Sequence, residues 1–291
     1  MNLYKYISSN LWNSILPYKL IRFTQPPLLN DPFELQVIYS SLAETDGFKD
    51  QLNEANVKSM FRDQFEEVKD QITPEMQALF TPEFLDICID FLTPSAIEYA
   101  PAMMDELIMP AMQTGFYKGF SESLGILSLT EKYDNLLMWA HYAENHKGFV
   151  IGFDGENDFF HHKHSEDDEL RHIRKVQYSE ERPNIQLNII DDMADIFLTK
   201  SKEWEYEQEW RMLERMLDAN KTIQKNDEAI CLFSFPAECV KEVILGCRML
   251  PSIRREIIDY LVSDEQYSAV KIYEAGIDEK EFKLNIIPAD I

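Results

Sequence analysis

The chain has 291 residues, 45% apolar and 12% aromatic, enough for a large domain with a real core. Its formal net charge of −24 disfavours wholesale binding to a nucleic-acid backbone, because affinity of that kind comes from Lys and Arg; a local basic pocket stays open. The four cysteines form no Cys-x-x-Cys pair and read as buried thiols, the opening Met1–Tyr6 lacks the apolar run of a signal peptide, and no stretch of about eighteen apolar residues could span a membrane, so the expected location is the cytoplasm.

Leu3–Tyr6 reads as a first strand, with Leu3 and Lys5 on one face and Tyr4 and Tyr6 on the other. A short helix with Leu11, Trp12, Ile15 and Leu16 follows. Leu20–Thr24 then reads as a second strand, with Arg22 facing away from Ile21 and Phe23. Three prolines between Gln25 and Glu34 make a rigid, non-helical loop, in which Asn30 and Asp31 can bond nearby backbone amides. Such a loop directly after a strand lines a pocket or is simply a tight turn.

Residues 40 to 120 are predicted helical. Val57, Met60, Phe61, Phe65 and Val68 recur at helical spacing, Pro74-Glu75 and Thr81-Pro-Glu83 suit helix starts, and Thr93-Pro94 and Met109-Pro110 are expected breaks. No chemistry is evident there. The stretch reads as a helical insertion within a single α+β domain of residues 1–291, and it is a candidate homodimer contact.

Gly125–Thr130 is a predicted strand with Ser128 in its middle. Residues 135 to 145 form a short helix carrying Trp139, His141 and Tyr142, with Gly148 as its cap, and Phe149–Phe153 is an apolar strand. His141 and His146 are spaced wrongly for a shared zinc site on one helix face. His161, His162 and His164, beside Glu166, Asp167, Asp168 and Glu169, read as a polar loop. Arg171–Tyr178 is a strand, and Ile189–Lys202 a helix with Asp191, Asp192 and Asp195 near its start.

That helix delivers the chain to Lys202-Glu-Trp-Glu-Tyr-Glu-Gln-Glu-Trp-Arg-Met-Leu213, the densest stretch of specific side chains. The two-fold pattern predicts a strand with Glu205, Glu207, Glu209 and Arg211 on one face and Tyr206, Gln208, Trp210 and Met212 on the other. A row of like charges repels itself. A cleft for a cation, or for a substrate that becomes cationic, accounts for it; a solvated acidic strand is the alternative. Strands over Ala229–Phe235, Val240–Gly246, Val270–Ala275 and Glu281–Ile287, with a helix from Ser252 to Leu261, complete the chain. No phosphate-binding glycine loop and no Gly-x-Ser-x-Gly elbow is present.

Several of these stretches together resemble a bacterial family catalogued as domain of unknown function 2971. They are Leu3–Tyr6, Phe23 through Asn30-Asp-Pro-Phe-Glu34, Leu127–Thr130, Met138–Ala143 with His146–Phe149 and Gly152-Phe153, Trp204–Arg211, and Glu242–Gly246. More distantly, the order of elements resembles the ADP-ribosyltransferases, including their DNA-modifying branch. That resemblance implies a split or curved sheet core, NAD as substrate, no metal, and a nucleic-acid or protein acceptor. It places Tyr4 or Lys5 at the dinucleotide-binding first strand, Ser128 near the middle-strand position and Glu209 at the catalytic one. Glu207 is the second choice. Asn30 and Asp31 approach the dinucleotide, Arg22 or Arg211 pairs with its diphosphate, Tyr6, Trp139 or Tyr142 packs on a ring, and His141 lines the pocket. The opening strand lacks the usual Arg or His, and Ser-Leu-Thr replaces the common Ser-Thr-Ser. A non-catalytic nucleotide-binding or protein-interaction domain is one alternative. A metal-dependent nuclease or hydrolase using Asp31, Glu34 and Glu209 is the other.

Overall fold

The computed structural model describes residues 1–35, 38–39, 46–69, 81–166, 168, 170–185, 193–226 and 228–291. The chain divides into two compact units, one of residues 1–36, 119–183 and 193–291 and the other of 37–118 and 184–192. In chain order the strands are β1 (Asn2–Ile7), β2 (Leu20–Phe23), β3 (Ile38–Tyr39), β4 (Leu124–Thr130), β5 (Phe149–Asp154), β6 (Arg174–Lys175), β7 (Gln177–Ser179), β8 (Asn184–Ile185), β9 (Thr199–Ser201), β10 (Glu209–Arg215), β11 (Lys221–Lys225), β12 (Glu228–Ser234), β13 (Val240–Leu245), β14 (Lys271–Ile277) and β15 (Leu284–Pro288).

The first unit is built on an eight-stranded sheet in the order β15-β14-β13-β5-β1-β4-β10-β6. Its middle strand β5 is buried on both faces from Phe149 to Phe153, which is why it reads as an unbroken apolar run rather than an alternation. β13 and β14 pair in parallel, and the crossover this demands is the helix Pro251–Ser263, which buries Ile257, Ile258 and Leu261. β1 sorts its side chains by parity: Leu3 and Ile7 enter the larger core with Leu127, Phe149, Phe153 and Met212, while Tyr4 and Tyr6 enter a second cluster with Met138, Trp139 and Val150. Fully burying one such side chain contributes roughly 1.5–3 kcal/mol.

The expected split or curved sheet core is not what the chain forms. The eight-stranded sheet is open, with β15 and β6 at its edges, and among the described residues no sheet is closed or curled. The strand expected at Ala229–Phe235 lies outside this sheet: it pairs with β2 and β11 in a separate three-stranded sheet, where Leu232 faces Arg22 and Phe233 faces Ile21. The expected strand at Arg171–Tyr178 is two short pieces: β6 lies on β10, whereas β7 pairs in parallel with β9. Of the helix expected over Ile189–Lys202, residues 189–192, with Asp191 and Asp192, lie outside the described residues; the described part is helical over Met193–Leu198 and then turns into β9.

In the second unit the helices Asp46–Gln51, Glu54–Val68 and Pro82–Met103 are joined by polar contacts such as Lys58–Asp90 and Arg62–Asp86. Thr81 caps the long helix by accepting from the Phe84 amide, with Pro82 just inside the start. The breaks expected at the later prolines do not occur: the helix runs through Pro94 and Pro101, a π-helical turn follows at Met104–Ile108, and Pro110 falls in the first turn of the helix Met109–Ser123. The helical path is unbroken from Pro82 to Ser123, and Pro110 follows directly on the π-helical turn, where the Met109 N–H bonds to the Met104 carbonyl in place of the ordinary helical pattern. The helix start at Pro74-Glu75 lies outside the described residues.

Candidate active site

The site begins where β1 leaves β4. β1 pairs with β5 along its whole length, but with β4 only at Tyr4 and Thr130. Here a cavity of about 230 Å³ lies among β1, β4, the loop from Thr24 to Glu34, the helix Leu136–Tyr142, and the segment from Lys200 to Arg211. It is lined by Tyr4, Lys5, Tyr6, Asn30, Ser128, Tyr142, Glu207, Glu209 and Arg211, together with Thr24, Leu28, Leu29, Glu34, Leu129, Thr130, Met138 and Lys200.

The acid-rich stretch is not the continuous strand that its two-fold pattern predicts. Lys202–Glu207 is a 3-10 helix, Gln208 takes the left-handed conformation (φ 44°, ψ 55°), and the strand starts at Glu209. Three carboxylates in a row on one strand face would repel, and the turn relieves this: Glu205 goes to solvent with Glu203, while Glu207 and Glu209 are buried. Thr130 fixes the junction by donating its hydroxyl to the Glu207 carbonyl. From Glu209 onward the strand period holds, so Glu209 and Arg211 share a face.

Buried charges require partners, and here they form a chain. Lys200 Nζ donates to Glu207 Oε2 at 2.6 Å and to Glu209 Oε2 at 2.9 Å. Arg211 Nε donates to Glu209 Oε1 at 2.8 Å, while Nη1 donates to Glu34 Oε2 at 2.9 Å and to the Phe197 carbonyl at 2.8 Å. The Tyr142 hydroxyl donates to Glu207 Oε1 at 2.6 Å and accepts from Asn30 Nδ2 at 2.6 Å. Burial alone would raise the Glu209 pKa, but Arg211 and Lys200 overcome it and hold the carboxyl well below the ordinary carboxylate range. Burial also opposes charge on Lys200, and there Glu209 and Glu207 prevail and raise it. Burial, reinforced by Glu207, pushes the Tyr142 hydroxyl up. Ser128 adds a small pull on Glu209, although its buried hydroxyl makes no hydrogen bond of ordinary geometry among the described residues.

Four of the expected residues serve other ends. Asp31 is turned to the backbone, where its Oδ1 accepts from the Phe33 amide and fixes the turn that delivers Glu34. Trp139 is fully buried one layer behind the cavity; it meets Tyr6 edge-on at 5.4 Å and donates its indole N–H to the Tyr133 carbonyl. His141 is exposed and touches Tyr142 edge-on. Arg22 pairs with Glu228 on the neighbouring strand. Arg211 is committed to two carboxylates, so a diphosphate role for it is set aside. The hydrolase trio is likewise not a metal-binding set: the Arg211 guanidinium bridges Glu34 and Glu209, and Asp31 belongs to its turn. Among the described residues no group of three or more His, Cys, Asp or Glu is arranged to hold a metal ion.

Lys200 falls at the end of the helix that the sequence predicts, and its place in the site comes from the structure alone. A lone lysine within reach of an acidic run was the signal available. The histidine loop carries a second network on the other face of β10. His162 Nε2 lies 2.9 Å from Glu214 Oε1 and Nδ1 lies 2.7 Å from the Phe159 carbonyl. Both neighbours are acceptors, so the doubly protonated ring fits this geometry. Arg171 packs against Asp168, Glu214 and Asp218 beside it. Asp167 and Glu169 lie outside the described residues.

Fold and site together define an open-sheet α+β protein whose cavity is floored by a buried ion-pair chain. A family model described as protein of unknown function (DUF2971) matches residues 138–212, which include Tyr142, Lys200, Glu207, Glu209 and Arg211. No curated protein and no solved structure matches the chain. Among the described residues no helix is long and apolar enough to cross a membrane.

Proposed function

We propose that the cavity is an active site for cleaving the glycosidic bond of NAD and passing the ADP-ribosyl group to an acceptor, a nucleic acid or a protein. Glu209 stabilises the positive charge that departing nicotinamide leaves on the ribose. The observation that carries this reading is the Glu209 carboxylate, held ionised at the cavity wall by Arg211 and Lys200. A fixed negative charge in a water-poor site acts most strongly where positive charge develops. Glu207 sits beside it, and Ser128, Tyr4, Tyr6 and Asn30 complete the lining. At about 230 Å³ the cavity is smaller than the roughly 300–1,000 Å³ clefts that bury drug-sized ligands, so it suits the nicotinamide–ribose end alone, with the rest of the dinucleotide outside.

Calorimetry with NAD, followed by a nicotinamide-release assay on the same sample, tests the reading. Glu209→Gln is expected to leave binding nearly intact and to slow release roughly a hundredfold, since its charge matters mainly in the transition state. Glu207→Gln is expected to cost less. No heat and no release, with nucleic acid and cell extract supplied as acceptors, ends the proposal. One observation favours a second reading, binding without turnover: both Glu209 oxygens already accept from Arg211 and Lys200. Heat without release supports it.

A further inference from the structure

Lys5 differs from the other cations of the cavity. Lys200 and Arg211 are each held by carboxylates, whereas among the described residues Lys5 has no carboxylate within ion-pair distance. Among the described residues its one hydrogen bond is to the Ser128 carbonyl, at 2.8 Å, reaching across the gap where β1 and β4 no longer pair. The Lys5 side chain is thus anchored by a neutral acceptor, in a cavity whose wall also includes Asn30, while the Thr130 and Tyr142 hydroxyls are already donated to Glu207.

We propose that Lys5 is a nucleophilic amine that captures a small aldehyde in this cavity as an imine. The Nζ electron pair attacks the carbonyl carbon, and the C=O π pair moves to oxygen, which takes up the proton that nitrogen gives up. The carbinolamine hydroxyl then leaves as water by taking up the proton remaining on nitrogen, while the nitrogen electron pair forms the C=N bond. No oxidant or reductant is needed. A partly buried amine beside another cation is a setting in which lysine acts as a nucleophile. Burial pushes the Lys5 pKa down to about 8; Glu209 and Glu207 work against this, while Arg22 and Lys200 add to it. At pH 7 about a tenth of such an amine is neutral, against less than ~1 in 1,000 for an ordinary lysine. The inference is independent of whether NAD is cleaved.

The test uses the wild-type protein with glycolaldehyde and cyanoborohydride, which reduces an imine to a stable secondary amine. Peptide mass spectrometry then gives the rate at each lysine. Lys5 is expected to be modified at least roughly tenfold faster at pH 7 than the exposed Lys147 and Lys225, with its rate rising through about pH 8. Arg22→Gln removes a neighbouring positive charge, and so is expected to move that midpoint upward and slow the pH 7 reaction. Labelling of Lys5 no faster than of Lys147, or a rate that rises only near pH 10, overturns the proposal, and neither outcome depends on a variant folding.

Discussion

Glu34 and Arg211, 177 positions apart in sequence, meet as a two-pronged ion pair while the same guanidinium holds Glu209 two residues away. Arg211 is therefore the point at which the proline-rich loop is fastened to β10. Breaking a buried pair from one side typically costs ~3–5 kcal/mol, because an unmatched charge stays behind. Arg211→Met is expected to fall in that range in urea denaturation, and Arg211→Lys to lose stability as well, because a single ammonium cannot reproduce the fork. Replacing Arg211, Glu34 and Glu209 together by apolar residues should recover much of the loss. A single-variant loss under ~1 kcal/mol would falsify this role.

The same network fixes an acid limit. The folded pKa of Glu209 lies below its unfolded value, so its contribution is fully present above about pH 4.3 and is lost as pH falls toward the folded value. Stability measured downward from about pH 5 is expected to decline with a slope that Glu209→Gln reduces. Equal slopes in the two proteins would assign the acid sensitivity to other carboxylates.

His162 sets a slope of opposite sign. Its bond to Glu214 and the Phe159 carbonyl raise its pKa, with burial opposing. A raised histidine contributes fully below about pH 6.5, and the contribution disappears as pH rises through the folded value. The ring is 40% exposed, so the effect is modest. An NMR titration of His162 should give a midpoint above that of an unperturbed histidine, and Glu214→Gln should bring it down. A midpoint at or below the ordinary value rejects the charged ring.

Two glycines are expected to resist any side chain. A Cβ on Gly148 would lie 2.0 Å from the Ile7 carbonyl oxygen, and one on Gly246 would lie 2.3 Å from that of His146. Both obstacles are backbone, at the place where β1, β5 and β13 converge. Gly148→Ala and Gly246→Ala should each cost ~1–3 kcal/mol or more in thermal or urea unfolding. Gly115→Ala serves as the control, since nothing lies within 4 Å of its added carbon.

Much of this was legible in the sequence, and the misses have physical causes. The apolar run at Phe149–Phe153 names a central strand because both faces are buried. The shared face of Glu209 and Arg211 follows from strand parity. The left-handed turn at Gln208 was not legible, since the two-fold alternation continues unbroken through a 3-10 helix. Trp139 looked like a pocket wall but packs behind one, because a large ring satisfies itself equally well against Tyr6 and His146. Lys200 was hidden because its partners lie across a turn that the pattern did not reveal. Openness of the sheet depends on which strands find β2 and β12, a long-range choice that local periodicity does not encode.

The near-complete pairing of β1 with β5, and its single link to β4, also bears on how the protein is made. The first strand emerges from the ribosome long before its partners, and it has no ladder to join until Phe149–Asp154 has been synthesised. The cavity waits longer, because its ionic floor is supplied last, by Lys200 through Arg211. A nascent chain stalled before Arg211 would already hold Met138, Trp139 and Val150 for Tyr4 and Tyr6 to pack on, but would leave Glu34 without its partner, so the proline-rich loop is fastened only after the sheet beside it has formed.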